Sequence, residues 1–154
     1  MKKVALELQP CCSQKSGIGY YTYEIAKRLK NNNDYTFYGN IFNFMNRNKF
    51  DISQIDYDIC INKKIPYGVY RRSWHYINFD YEKMFANDAH IKHFFNYIVP
   101  PNVKGKVIDT IHDLGYIYYP QFLDKKNLSR IQRDITYSIE RSDIIVTVSN
   151  SVKK

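Results

Sequence analysis

Three short segments of this chain carry residue types that do chemistry in a cleft. His112-Asp113 follows the strand-like run Lys106 to Ile111. A histidine just beyond a buried strand can exchange a proton near neutral pH or hydrogen-bond a sugar hydroxyl. Asp113 would either orient that ring or hold the loop, and the plainer alternative is an imidazole satisfied by nearby backbone. Gly17-Ile18-Gly19 lies between a strand and a helix. Glycines let a backbone approach a ligand, and a helix start offers free N–H groups to an anion. The plainer alternative is a tight turn. The third segment, Ser149-Asn150-Ser151, comes after an apolar run and offers two helix N-cap candidates. No Ser/His/Asp or Cys/His nucleophile set emerges, and Cys12 lies near Gly17 without the context of a catalytic thiol.

These segments need a scaffold. Val4 to Leu8 is a short, mostly apolar run that suits a buried parallel strand. Ile18, Tyr21, Ile25 and Leu29 recur at helical spacing, with Lys27, Arg28 and Lys30 at the negative end of that helix. Tyr35 to Tyr38 is β-branched and aromatic, a second strand. In residues 41–87 the pattern weakens. Phe42 to Phe44 and Asn46 to Lys49 suit a loop or short helix, and Ile59 to Ile61 suits a strand. Pro66 and Gly68 break the chain after that strand, and Tyr76 to Phe85 suits a helix. Order returns with a strand at Ile91 to Phe95, another at Lys106 to Ile111, a helix marked by Leu128, Ile131, Ile135 and Ile139, and a buried strand at Asp143 to Val148. The alternation predicts one α/β domain over residues 1–154: a Rossmann-like parallel sheet with helices on both faces. In such a sheet ligands collect beyond the carboxyl ends of the strands, where all three segments fall. Because the chain closes on a strand and an opening helix, it is expected to be the N-terminal part of something longer.

Composition removes several classes. At 154 residues with 44% apolar and 25% charged, the chain can bury a core and is not disordered. No apolar stretch is long enough to span a bilayer, and Glu7 interrupts the N-terminal run too early for a signal peptide. Three cysteines, two of them adjacent, form no disulfide framework and suggest a reducing compartment, so the cytoplasm is expected. His90 and His93 are spaced for a metal but lack a cysteine pair, so no metal is expected. The net charge of +8 comes mostly from lysine in a chain also rich in Ile, Asn and Tyr, which reads as compositional bias and not as a nucleic-acid surface. One local cluster, Arg71, Arg72 and Trp74 after Lys63 and Lys64, would suit anionic lipid headgroups or a lipid-linked acceptor; the plainer alternative is a solvated loop with a buried Trp. A nicotinamide site is disfavoured, because Thr22 stands where the fingerprint needs its third glycine and Gly39-Asn40 where it needs an acid. No Gly-Lys-Ser/Thr comes after the loop either, so it is not a P-loop.

Four segments in order carry a resemblance: Ser16 to Thr22, His93 to Pro100, Thr110 to Leu114, and Ser142 to Lys153. Together they resemble the N-terminal domain of glycosyltransferase family 4, the retaining GT-B enzymes, with residues 41–87 matching poorly. The resemblance implies the N-terminal half of a GT-B fold. That half takes a glycan or lipid-linked acceptor, while a C-terminal domain absent from this chain holds the nucleotide-sugar and an E-x7-E type motif. It implies that Gly17 and Gly19 border the donor diphosphate with Ile18 between them in the donor- or acceptor-binding loop, that His112 hydrogen-bonds the transferred sugar with Asp113 beside it, and that Ser149 lines the cleft. Asn96, Tyr97 and Pro100 would be structural. Neither a metal nor another cofactor would be needed beyond the nucleotide-sugar substrate. The implied work is hexosyl transfer in cell-surface polysaccharide synthesis, at the inner face of the membrane, with this chain inactive alone. The alternative is a non-catalytic α/β module that binds a glycan or a partner.

Overall fold

The computed structural model describes residues 1–12, 16–29, 31–47, 55–74, 76–85 and 88–153. Six strands form one all-parallel sheet: β1 (Lys2–Glu7), β2 (Tyr35–Phe42), β3 (Asp58–Asn62), β4 (Ile91–Phe94), β5 (Lys106–Ile111) and β6 (Ile144–Thr147). Their spatial order is β3-β2-β1-β4-β5-β6. The chain moves outward from β1 in one direction and from β4 in the other, so the order reverses between β1 and β4. A crevice opens there at the carboxyl ends. The expected α/β Rossmann-like architecture is therefore the one observed.

Helix α1 (Gly17–Leu29) covers one face. Its buried residues are Gly19, Thr22, Tyr23 and Ala26. The stripe expected from the sequence, Ile18, Tyr21, Ile25 and Leu29, is only half-buried. Small residues explain the rotation. Gly19 and Ala26 let the helix approach until the Gly19 carbonyl takes a bond from the Cys11 thiol at 3.7 Å. Val4, Leu6, Leu8, Phe37, Ile41 and Phe95 complete this core.

The opposite face is aromatic. Helices α2 (Tyr67–Ser73) and α3 (Tyr81–Phe85) place Tyr70, Tyr81 and Phe85, with Trp74 just past α2, against Phe42, Phe94 and Val107. Phe42 stacks on Tyr70 with ring centroids 4.8 Å apart. Pro66 and Gly68, expected to break this region, instead open α2: Pro66 is its extended N-cap and Gly68 lies in its first turn. Proline is compatible with a helix start because no intrahelical partner awaits its missing N–H. The helix expected over Tyr76 to Phe85 is confined to α3, because the Asp80 carboxylate accepts from the Lys83 N–H at 3.1 Å and sets the start there. A short 3-10 turn occupies Phe44–Asn46; residues 48 and 49 of the expected loop lie outside the described residues.

Between β5 and β6 run α4 (Gly115–Tyr118), a 3-10 turn at Pro120–Phe122, and α5 (Lys125–Arg141). Asp124 caps α5 by accepting from the Asn127 N–H at 3.0 Å. The strand expected to be buried at Asp143 to Val148 is corrected. It pairs with β5 alone among the described strands, and Ile144 is 54% exposed. Apolar residues on both faces announce cover, yet Ile145 and Val148 are exposed as well. Helix α6 (Asn150–Lys153) begins directly after Ser149.

Candidate functional site

At the crevice a cleft of about 290 Å³ lies beyond β5. Ile18 from the first turn of α1 enters it from one side, His112 and Asp113 from the end of β5, Tyr116 and Tyr119 from α4 and its exit, and Ile131 and Ile135 from α5. The glycine segment and the histidine, far apart in sequence, thus meet through Ile18.

The histidine is held in place twice. Its Nε2 lies 2.7 Å from the Phe95 carbonyl oxygen. A carbonyl can only accept, so Nε2 carries the hydrogen, and in the neutral ring Nδ1 is the lone-pair acceptor. Tyr21 meets the imidazole edge-on, with centroids 5.0 Å apart at 87°. The ring is therefore satisfied by backbone at one nitrogen and keeps a fixed acceptor at the other.

Asp113 is engaged with its own loop and not with that ring. Its Oδ1 accepts from the Gly115 N–H at 2.9 Å, an Asx-type turn that starts α4. Of the two roles open to it, holding the loop is the one with a contact. Gly17 has open space where a side chain would stand, while Gly19 is buried, its carbonyl against the Cys11 thiol. Ser149 is exposed beyond β6 and does not line the cleft.

Tyr97, read from sequence as structural, also lines the cleft. It sits at φ 39°, a left-handed conformation costly for a bulky residue. Its N–H donates to the Thr110 carbonyl at 3.3 Å, and its own carbonyl accepts from the Ser138 hydroxyl at 2.7 Å. Anchors on β5 and α5 thus hold the turn. No sequence signal marks this strain.

The structure does not assemble Arg71, Arg72 and Trp74 into a surface patch. Trp74 is 6% exposed and packs edge-on against Tyr70. The Arg71 guanidinium binds the buried Asp134 carboxylate at 2.6 Å, tying α2 to α5. Of the three, Arg72 alone is exposed.

Sequence reasoning also missed the buried polar and ionisable side chains behind the cleft. Glu7, Asn40, Asn62, Lys92 and Asp109 all project from the aromatic face of the sheet and are buried. Lys92 pairs with Glu82 at 2.9 Å and also donates to the Lys104 carbonyl. Asp109 is fully buried, and neither of its oxygens has a hydrogen-bond partner. Burial pushes its carboxyl up to about 7, against a smaller downward pull from the Thr110 and Tyr97 amides, which do not reach hydrogen-bond geometry. Burial likewise raises Glu7 to about 8, despite the Gln9 N–H. On the α1 face, desolvation lowers His93 to about 4, where its ring nitrogen meets the Thr110 hydroxyl at 2.9 Å.

Among the described residues no group of three or more His, Cys, Asp and Glu side chains is arranged to hold a metal. No described helix is long and apolar enough to cross a membrane. No protein-family model, curated protein or solved structure matches this chain.

Proposed function

We propose that this chain is the acceptor-side domain of a retaining glycosyltransferase that moves a hexose from a nucleotide-sugar to a glycan or lipid-linked acceptor at the cytoplasmic face of a membrane. The observation that carries the reading is the meeting of Ile18 and His112 in one cleft at the strand-order reversal. The cleft wall is largely aromatic and aliphatic, which suits the apolar face of a sugar ring or an alkyl chain.

In this reading His112 positions the sugar. Its Nδ1 accepts a hydrogen bond from a hydroxyl, while Phe95 and Tyr21 prevent the ring from turning away. The first turn of α1 presents backbone N–H groups to the leaving diphosphate, whose charge grows in the transition state. A partner domain would contribute the nucleotide site and the cations around it, so the chain by itself binds without turning over. The second reading, a glycan-binding module without chemistry, gains from Asp113 being tied to Gly115 and not to His112, which leaves the cleft without an acid–base pair.

The test is an NMR titration of the isotope-labelled chain with nucleoside diphosphate hexoses, the free nucleoside diphosphates and short oligosaccharides. Sugar-bearing ligands are expected to shift the His112 ring and Ile18 methyl signals, and His112→Ala should weaken binding about ten-fold, the loss of one good hydrogen bond. No shift at either residue with any of these ligands at millimolar concentration overturns both readings. Turnover once a nucleotide-sugar domain is supplied separates the first reading from the second.

A further inference from the structure

Directly beyond the cleft the chain exposes four large apolar side chains within six residues. Ile117 is 53% exposed, Tyr118 64%, Tyr119 59% and Phe122 81%. Tyr119 and Phe122 face each other at 6.3 Å and also line the cleft, so they are at once its wall and its rim. The next turn begins with Lys125 and Lys126, both exposed, and Arg130 lies one turn later. Asp124, the acid between the two groups, is engaged with Asn127 at the start of α5. Among the described residues no carboxylate comes within ion-pair distance of Lys125, Lys126 or Arg130.

We infer that this rim docks on a bilayer carrying anionic headgroups: Ile117, Tyr118, Tyr119 and Phe122 enter the headgroup–acyl boundary, and Lys125, Lys126 and Arg130 meet the phosphates. The composition fits, because tyrosine and phenylalanine with adjacent cations partition to that boundary. The size fits as well. The four side chains expose about 500 Å², below the roughly 800 Å² per partner of a stable protein interface, yet enough for reversible membrane binding when lysines add electrostatic attraction. The surface expected from sequence at Arg71, Arg72 and Trp74 is replaced by one in which the apolar and cationic residues are both exposed. For the acceptor the inference rests on the transferase reading: a rim seated on lipid opens the cleft at headgroup level, which selects a lipid-linked acceptor over a soluble glycan.

Vesicle flotation tests it with the chain as it stands. Binding to phosphatidylcholine vesicles containing phosphatidylglycerol should exceed binding to phosphatidylcholine alone by about ten-fold and weaken with salt. Tyr119→Ser with Phe122→Ser should lower binding about ten-fold while leaving the salt dependence. Lys125→Glu with Lys126→Glu should erase the preference for anionic vesicles. Lys63→Glu with Lys64→Glu changes the net charge equally beside β3, at the other edge of the sheet, and should leave most binding intact. Circular dichroism verifies that each variant is folded. Absence of vesicle binding by the folded wild type overturns the inference, as does equal loss in the Lys63/Lys64 variant. Concentration-dependent self-association that disappears with Phe122→Ser, without vesicle binding, also overturns it by assigning the rim to a second copy. Sugar shifts at His112 that persist while vesicle binding fails sink this inference alone; vesicle binding without sugar shifts sinks both glycan readings and leaves the membrane-docking rim standing.

Discussion

The sheet presents two different interiors. Beneath α1, Val4, Leu6, Phe37 and Ile41 form a core without an ion pair among its named residues, and His93 on the same face is kept neutral down to about pH 4. On the other face, Phe42, Tyr70, Tyr81 and Phe94 surround Glu7, Lys92 and Asp109. Two ion pairs cross this second interior: Lys92 with Glu82 joins the successive elements β4 and α3, and Arg71 with Asp134 joins α2 and α5, far apart in sequence. The face behind the cleft thus holds its helices with specific polar contacts, while the face beneath α1 relies on close approach of small residues. Hydrophobic packing tolerates small slips; a buried guanidinium–carboxylate bond fixes a register.

Breaking the polar side should cost most. Arg71→Ala leaves Asp134 buried with Arg133 as its remaining cation, and should lower stability by about 4 kcal/mol in urea denaturation. Replacing both partners, Arg71→Met with Asp134→Leu, should recover most of that loss, because no charge is then stranded. On the α1 side, Leu6→Ala should cost about 3 kcal/mol by transfer and cavity terms, with little dependence on pH.

The next test separates the faces by pH. In the unfolded chain Asp109 ionises from about pH 4, whereas the folded protein keeps its proton up to about 7. Across that window the unfolded state binds fewer protons, so stability falls as pH rises, and the loss is complete above the folded value. Glu7 extends the decline to about pH 8. His93 acts in the opposite sense: the unfolded imidazole takes up a proton below about 6.5, the folded one below about 4, so stability falls as pH drops through that interval. Asp109→Asn should therefore be more stabilising at pH 8 than at pH 5, by about 2.5 kcal/mol. Denaturation at the two pH values measures this, and an equal effect at both would assign the cost of Asp109 to packing. The smallest expected effect is at the cleft rim, where Phe122→Ser should change stability by less than about 0.5 kcal/mol.

Much of the fold was legible because parallel strands write short apolar runs and the chain alternates them with helical spacing. β1, β4 and β5 stand where those runs stand, while β2 starts at its run but continues to Phe42, which the sequence placed in a loop or short helix. Gly17-Ile18-Gly19 and His112 were legible as site candidates by their positions after strands, and the cleft contains Ile18 and His112. Within residues 41–87 the strand at Ile59 to Ile61 was legible and is β3, but α2 and α3 were not, since they are short and held mainly by aromatic contacts to the sheet. The role of Arg71 was hidden because its partner Asp134 lies on a helix remote in sequence. Glu7 and Asp109 were hidden because a lone carboxylate in a strand pattern reads as facing water, and both face the aromatic interior. β6 was misread because an apolar run records that a surface is to be covered without recording by what.

That last strand has a practical side. Ile144-Ile145-Val146-Thr147-Val148 is β-branched throughout, lacks proline and glycine, and forms the sheet edge next to β5. Such a segment is a template for cross-β stacking between chains. Its protection is slight: Asp143 at its entry is drawn into a bond with Lys106 at 2.6 Å, so the charge that would repel an incoming strand is half neutralised. In concentrated solution β6 is therefore expected to pair with strands of other chains more readily than the shorter apolar run of the opposite edge, β3.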